Sequence, residues 1–280
     1  MITGSIVTFR TRKEDLVKVV RSALRDGVER LYVIDHSPDD SVSALFSPEA
    51  VEEVLADERI VYEKRPNLGY GAGHNAAIRK AMKEGAAYHA VLNPDIYWEG
   101  DVVGQLARFM DAHDDVGMMV PKVLYPDGRL QYVCKLIPTP YDLIANRFLP
   151  QKLVRKRLAR FRLEKSGYDK IMNVPYMHGC FFMLRIDALK DVGLFDERFF
   201  MYPEDIDLTR RINERWLTLF YPHLHIYHAH AAESRKSWKM LRIHITNMVK
   251  YFNKWGWFFD SKRRQTNRRV IRQQQTPLFE

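Results

Sequence analysis

Apolar positions along this chain alternate between short strand-like runs and stripes at helical spacing. Ser5-Ile6-Val7-Thr8-Phe9 reads as a buried first strand. Residues 14–24 then carry Leu16, Val19, Val20, Ala23 and Leu24 on one helical face, and Gly27 ends that helix. Leu31-Tyr32-Val33-Ile34 is a second strand running into Asp35-His36-Ser37-Pro38. A polar loop and a helix near residues 48–55 lead to the strand Ile60-Val61-Tyr62. A glycine-rich turn, Asn67-Leu68-Gly69-Tyr70-Gly71-Ala72-Gly73-His74-Asn75, opens a helix through Ala76, Ala77, Ile78 and Met82. Tyr88-His89-Ala90-Val91-Leu92 is the fourth strand, followed by Asn93-Pro94-Asp95, a helix at 102–112 and a strand at 116–120. This alternation predicts an α/β fold: a mainly parallel, twisted, doubly wound sheet with flanking helices. Ligands of such sheets lie beyond the carboxyl ends of the strands.

The second half is less regular. Asp127-Gly128 marks a turn. The basic run 152–165 is either a helix packing through Leu153, Leu158 and Phe161 or a solvated face. Residues 174–184 form a strongly apolar segment aimed at the core, with His178 and Gly179 inside it. His178 either faces a site or is a hydrogen-bonded core histidine. Leu217-Thr218-Leu219-Phe220 and Ile226-Tyr227 read as short strands, and His228-Ala229-His230 places two imidazoles on one face, as metal ligands or in a polar loop. From Ser237, apolar residues Trp238, Leu241, Ile245, Met248, Phe252 and Trp255 recur at intervals of mostly three and four, a C-terminal amphipathic helix. Residues 263–272 read as a disordered basic tail.

Composition narrows this picture. Hydrophobic residues make up 46% of the 280, enough for a sizeable core. The two cysteines, Cys134 and Cys180, match no disulfide framework or zinc spacing, which points to a reducing compartment. No signal peptide and no membrane-spanning run is expected. The net charge of +9 is uneven: residues 235–272 hold twelve Lys/Arg against one acid, Asp260, so that segment carries +11 and the remainder −2. Residues 152–165 add seven Lys/Arg against Glu164. Two basic patches on a near-neutral body suggest an anionic surface or polymer as neighbour. Trp255-Gly256-Trp257-Phe258-Phe259 amid Lys and Arg suits a helix in an anionic membrane interface; docking on its own domain is the other reading.

The chemistry centres on Phe199-Phe200-Met201-Tyr202-Pro203-Glu204-Asp205-Ile206-Asp207-Leu208-Thr209-Arg210-Arg211, where three carboxylates fall within four residues ahead of a helical stripe. They would lie at a helix N-terminus, where the dipole favours negative charge. A second acidic element, Asn93-Pro94-Asp95, ends a strand. Separated carboxylate sites suit an enzyme in which one holds a metal–diphosphate and the other removes a proton. Mg²⁺ or Mn²⁺ matches a site of one or two carboxylates plus substrate oxygens. Asp35, at a strand end, either accepts an imide N–H from a uracil or thymine base or forms a turn. The glycine turn follows neither the dinucleotide spacing nor that of a P-loop.

In this order, residues 6–9, 33–35, 67–75, 92–95 and 193–208 resemble the inverting family 2 glycosyltransferases of the GT-A fold, particularly the bacterial rhamnosyltransferases, over roughly residues 4–255. Asn93 replaces the first Asp of the family's Asp-x-Asp motif, which leaves Asp95 as the main carboxylate; Pro203 stands where relatives often have Phe. The resemblance implies a glycosyltransferase domain at 1–235, with a nucleotide-binding half at 1–120 and an acceptor half at 121–235, and a basic amphipathic extension at 236–280. It implies Asp205 as catalytic base, with Glu204 and Asp207 orienting the acceptor or tuning it. Thr8, Asp35, Asn67, Gly69, Gly73, Asn75, Asn93 and Asp95 would bind the donor. His178 and Gly179 would lie on the acceptor side, and Asp95 and His228 would hold Mg²⁺ or Mn²⁺. The expected donor is dTDP- or UDP-linked, foremost dTDP-rhamnose. The expected acceptor is a saccharide or polyprenyl-linked saccharide of cell-surface polysaccharide synthesis. The expected location is cytoplasmic, peripheral on the inner membrane face, with no nucleic-acid partner. The alternative is a non-catalytic protein binding nucleic acid or anionic membrane on a degenerate fold of this type.

Overall fold

The computed structural model describes residues 1–47, 53–142, 151–229, 238–273 and 278. The start of the helix expected near residue 48 and the second histidine of the pair, His230, lie outside them.

The first half follows the expected alternation. β1 (Ile2–Thr8), α1 (Lys13–Arg25), β2 (Arg30–Asp35), β3 (Ile60–Lys64), α2 (Tyr70–Lys83) and β4 (Tyr88–Leu92) give the parallel order β3-β2-β1-β4. Leu16, Val19, Val20 and Ala23 of α1 are buried, as the helical stripe requires. After the short β5 (Ile96–Tyr97) come α3 (Val102–Asp111) and β6 (Val116–Leu124).

The second half departs from an all-parallel sheet. β7 (Cys134–Lys135), α4 (Gln151–Phe161), β8 (Met172–Asn173) and β9 (Tyr176–Met177) precede β10 (Phe181–Arg185), which inserts antiparallel between β4 and β6. After β10 come α5 (Ile186–Val192), α6 (Glu204–Asn213) and β11 (Leu217–His228). β11 is one long strand rather than the two short ones expected; it runs parallel to β6, with irregular register between Tyr221 and His225. β5 and β8 pair antiparallel with β11, and β7 with β9. The sheet is therefore mixed, and its antiparallel insertion is what assembles the site.

The C-terminal helices dock on the body. In α7 (Trp238–Trp255), Met248, Tyr251 and Phe252 join the main buried cluster. Residues 263–272, expected to be disordered, instead belong to the helix α8 (Ser261–Gln273). High charge suggested a solvated tail, but partners elsewhere in the chain order it. Val270 is buried, and Asn267 exchanges two hydrogen bonds of 2.9 Å with the Ile137 backbone. The Asp260 side chain accepts the Arg263 amide at 2.8 Å, capping the helix start.

Beneath the sheet runs a buried polar chain whose proton positions follow from its connections. Thr3 Oγ1 donates to the Tyr88 carbonyl, so it accepts from His89 Nδ1 at 2.8 Å. His89 Nε2 then accepts from Ser5 Oγ at 2.8 Å, and that hydroxyl accepts from His74 Nδ1 at 2.7 Å. The chain works only with His89 neutral; His74 donates through Nδ1 in either state, but its Nε2 is buried without a partner for a second proton. Burial pushes the His89 pKa down to about 3 and holds His74 well below the ordinary value. In the unfolded chain both protonate near pH 6.5, so between about 6.5 and 3 the unfolded state binds more protons than the folded one. Stability should therefore fall as pH falls through this window, with His89 alone contributing up to about 1.4 kcal/mol per pH unit. Denaturant unfolding at pH 7 and pH 5 should show a smaller pH loss in His89→Gln than in the parent. Equal losses would remove this account.

Candidate active site

Three strand ends converge because of the pairing just described. Antiparallel pairing sets Phe181 opposite Leu92, so the turn before β10 lies beside the end of β4. The Asn93 amide donates to the Cys180 carbonyl at 2.9 Å. Antiparallel pairing of β11 with β5 sets His228 opposite Ile96, and the Ala229 amide donates to the Asp95 carbonyl at 3.0 Å. His178, Gly179, Cys180, Asn93, Asp95 and His228, spread over more than a hundred residues of sequence, thus line one place.

The acidic helix closes this place from the other side. Glu204 and Asp205 begin α6, as the sequence suggests. Asp205 Oδ2 accepts the Gly179 amide at 3.3 Å, and its Oδ1 accepts the Ile206 amide at 2.8 Å. Tyr70, at the start of α2, donates its hydroxyl to the Gly179 carbonyl at 2.6 Å and is 3.0 Å from Asn93 Oδ1. Gly179 and Tyr70 therefore connect the Asp205 side of the cleft to the Asn93 side.

Electrostatics separates the two adjoining carboxyls. Burial raises Asp205 above the usual carboxylate range, while the Lys135 ammonium and the two amides oppose the rise. Glu204 is pushed well above its ordinary value, first by burial and then by the Asp205 charge. Its Oε2 is buried without a hydrogen-bond partner. The group lacking compensation holds the proton; the group with amides and a cation keeps the charge. Glu204 is thus the neutral acid of the pair and Asp205 the carboxylate of raised basicity. Lys135 lies across β7–β9 pairing from Tyr176, with its Nζ 3.3 Å from the Tyr176 hydroxyl.

On the other side, His228 Nε2 is 3.3 Å from Asp95 Oδ1, and its Nδ1 is 3.0 Å from Gln131 Oε1. Gln131 is itself anchored by donating to the His228 carbonyl at 2.7 Å. Burial works against the His228 cation, but Cys180 and the Asp95 carboxylate outweigh it and raise the imidazole to about 10. Asp95 and His228 also fit a divalent cation. Neighbouring ligands with bonds of about 2.1 Å stand roughly 3 Å apart, near the spacing seen here.

Other expected site residues are placed differently. Asp35 is fully buried: Oδ1 accepts from Thr8 Oγ1 at 3.1 Å and the Ser37 amide at 2.9 Å, and Oδ2 accepts from Tyr62 at 2.8 Å. The Ser37 bond forms the turn, and Asp35 stays at the carboxyl end of β2. Asn67 caps its own turn by accepting the Gly69 amide at 3.1 Å. Gly69 has φ 109°, and a Cβ there would stand 2.2 Å from the Phe200 carbonyl oxygen. Glycine is required at this close approach, which seats the turn against the loop ahead of α6. Gly73 packs on Val7 and His36, and Asn75 bonds to the Phe195 backbone and to Glu197. Asp207 is fully buried and turned away from the cleft. Arg211 and Trp255 donate to its two oxygens, both at 2.8 Å, and Lys254 pairs with it at 2.7 Å. It ties α6 to α7. Sequence reading passed over Lys135, Gln131 and the bridging role of Tyr70. Only Tyr70 carried a signal, its place inside the glycine turn.

The fold is that of the GT-A glycosyltransferases: a mixed twisted sheet with helices on its faces. The chain belongs to Glycosyl transferase family 2, whose model matches residues 5–193. It is 29% identical over 181 residues to the N-acetylglucosaminyl-diphospho-decaprenol L-rhamnosyltransferase of Mycobacterium tuberculosis, an alignment covering 60% of this chain and 57% of that protein. It is 26% identical over 193 residues to the rhamnosyltransferase WbbL of Escherichia coli K12, covering 65% of this chain and 70% of WbbL. The chain thus spans little more than half of the mycobacterial relative. Among solved structures, GalNAc-T7 with UDP, GalNAc and Mn²⁺ superposes with TM-score 0.59 at 14% identity, over 81% of this chain and 43% of that one. Residues 1–349 of S. aureus TarS in complex with UDP give TM-score 0.56 at 13% identity, over 97% of this chain and 71% of that one.

Proposed function

We propose that this protein is an inverting glycosyltransferase moving a sugar from a dTDP- or UDP-linked donor, dTDP-rhamnose foremost, to a saccharide or polyprenyl-linked saccharide in cell-surface polysaccharide synthesis. The observation that carries the reading is the cleft itself. A raised-pKa carboxylate, Asp205, faces a second carboxylate, Asp95, paired with His228, and Gly179 and Tyr70 join the two sides. Asp205 takes the proton of an acceptor hydroxyl as its oxygen bonds to the anomeric carbon. The bond from that carbon to the diphosphate oxygen breaks on the opposite face, and configuration inverts. Asp95 and His228 would hold Mg²⁺ or Mn²⁺, which would supply positive charge against the leaving diphosphate. Neutral Glu204 keeps a second negative charge out of the acceptor side. Similarity to the two rhamnosyltransferases supports the donor sugar, and the mycobacterial relative's name supports a polyprenyl-diphosphate-linked acceptor.

An anionic membrane surface is part of this proposal. Among the described residues no helix is long and apolar enough to cross a membrane. α7 nevertheless has a second apolar face: Trp238, Ile245 and Val249 are exposed, as are Phe258 (74%) and Phe259 (91%) beyond its end. With Lys262, Arg264 and Arg268 nearby in sequence, they suit an interface where rings enter and cations meet headgroups.

The test is thermal stabilisation by a panel of nucleotides and nucleotide-sugars, with and without Mn²⁺ or Mg²⁺. A metal-dependent shift with dTDP- or UDP-sugars is expected; no shift with any of them would count against the transferase. Sedimentation with anionic vesicles should fall when Phe258 and Phe259 are both changed to Ser. Unchanged sedimentation would remove the membrane contact.

A further inference from the structure

We infer that Cys180 and His178 complete a thiolate-containing metal site with His228 and Asp95, selective for a borderline cation of the zinc type over magnesium. The inference rests on the reading above that Asp95 and His228 hold a cation, and departs from it in the metal: an added thiolate and imidazole favour a zinc-type cation over the Mg²⁺ or Mn²⁺ named there.

The geometry comes from the turn between β9 and β10. His178 and Cys180 flank Gly179, and one ligand atom from each of His178, Cys180 and His228 lies within 4.8 Å of the others. Asp95 Oδ1 adds an oxygen 3.3 Å from His228 Nε2. Tetrahedral zinc with bonds of about 2.0–2.3 Å spaces its ligand atoms by roughly 3.3–3.7 Å, so His178, Cys180 and His228 would have to draw together by about an ångström to share it. Cys180 and His228 are each 1% exposed and His178 is partly open, which leaves an entry path on its side.

The surroundings prepare this site. Gln131 donates to the His228 carbonyl through its amide nitrogen, so its oxygen is the atom that faces His228 Nδ1. The imidazole therefore keeps a proton on Nδ1, and a cation binding at Nε2 would take the place of the Nε2 proton that meets Asp95 in the metal-free protein. A histidine ligand oriented by a hydrogen bond from its other nitrogen is the usual second-sphere arrangement of metal sites. The donor set decides the metal. Magnesium takes oxygen ligands in near-octahedral geometry, whereas two imidazoles, one thiolate and one carboxylate suit zinc or cobalt. The remaining cysteine, Cys134, is buried in β7 and falls outside the His178–Cys180–His228 group.

Cobalt(II) reports a thiolate ligand by a charge-transfer band in the near ultraviolet. The full chain, freed of metal, would be titrated with Co²⁺ and followed by absorption. The expected result is saturation at one equivalent with a charge-transfer band. The band persists in Cys134→Ser and disappears in Cys180→Ser, whose melting temperature checks that it folds. Zn²⁺ should displace Co²⁺ at stoichiometric amounts and Mg²⁺ should not, even in large excess. Gln131→Ala should weaken Zn²⁺ binding by about 10–100-fold, and His178→Gln should weaken it while keeping the band. Saturable Co²⁺ binding without the band, or with a band that survives Cys180→Ser, would overturn the thiolate site while leaving a cation at Asp95 and His228 intact. Absence of saturable Co²⁺ or Zn²⁺ binding would also overturn it. A Mg²⁺-dependent shift with nucleotide-sugars would then still support the transferase.

Discussion

Asp205→Asn is expected to lower turnover by about 10²–10⁴-fold, the contribution typical of a positioned general base, while donor binding changes little. The substitution is nearly isosteric, but Asn offers one acceptor oxygen where Asp205 uses two, so only one of the Gly179 and Ile206 amides keeps its acceptor. What disappears is the basicity that burial confers on the carboxylate. Losing that charge also relieves Glu204, whose carboxyl should ionise more readily in the variant because the Asp205 charge is one cause of its high pKa. Turnover with saturating donor and acceptor, set beside calorimetric donor affinity, separates the outcomes. Turnover within tenfold of the parent would exclude Asp205 as the base. Equal loss of donor affinity would make it a binding or structural residue instead.

Asp260→Ala is expected to destabilise the fold by about 3–5 kcal/mol, the cost of leaving one member of a buried ion pair behind. Arg210 of α6 and Asp260 ahead of α8 are almost fully buried, and Nη2 of the guanidinium meets both carboxylate oxygens, at 2.8 and 3.0 Å. The guanidinium carbon lies 3.9 Å from the centre of the Trp255 ring. Removing the carboxylate strands that charge between α6, α7 and α8 and deletes the cap on the Arg263 amide. Since α6 also carries Glu204 and Asp205, loosening the C-terminal helices should reach the cleft. Urea unfolding gives the measurement; a loss below about 1 kcal/mol would mean the pair is hydrated or replaceable. Replacing both partners with apolar residues should cost far less than the single change.

Much of this was legible in the linear chain. Strands β1 to β4 and helices α1 to α3 follow from local periodicity, because each buries one face through contacts near in sequence. The acidic helix start was legible from three carboxylates ahead of an amphipathic stripe. Residues 263–272 were misread for the converse reason: their charge favours water, and their order depends on Asn213, Ile137 and Asp260.

The sequence by itself determined the α/β class, the two acidic elements and the order of motifs shared with family 2, since these depend on local pattern and residue type. Tertiary structure alone decided which carboxylates share the cleft. Asp205 and Asp207 are two residues apart on one helix, yet one faces the Gly179 amide and the other faces α7. It also decided that β10 enters antiparallel, the pairing that sets Cys180 beside Asn93. A side chain's role depends on the dielectric and charges around it, and here those come from β7, β10, β11 and α7, elements distant in sequence that only folding brings into contact.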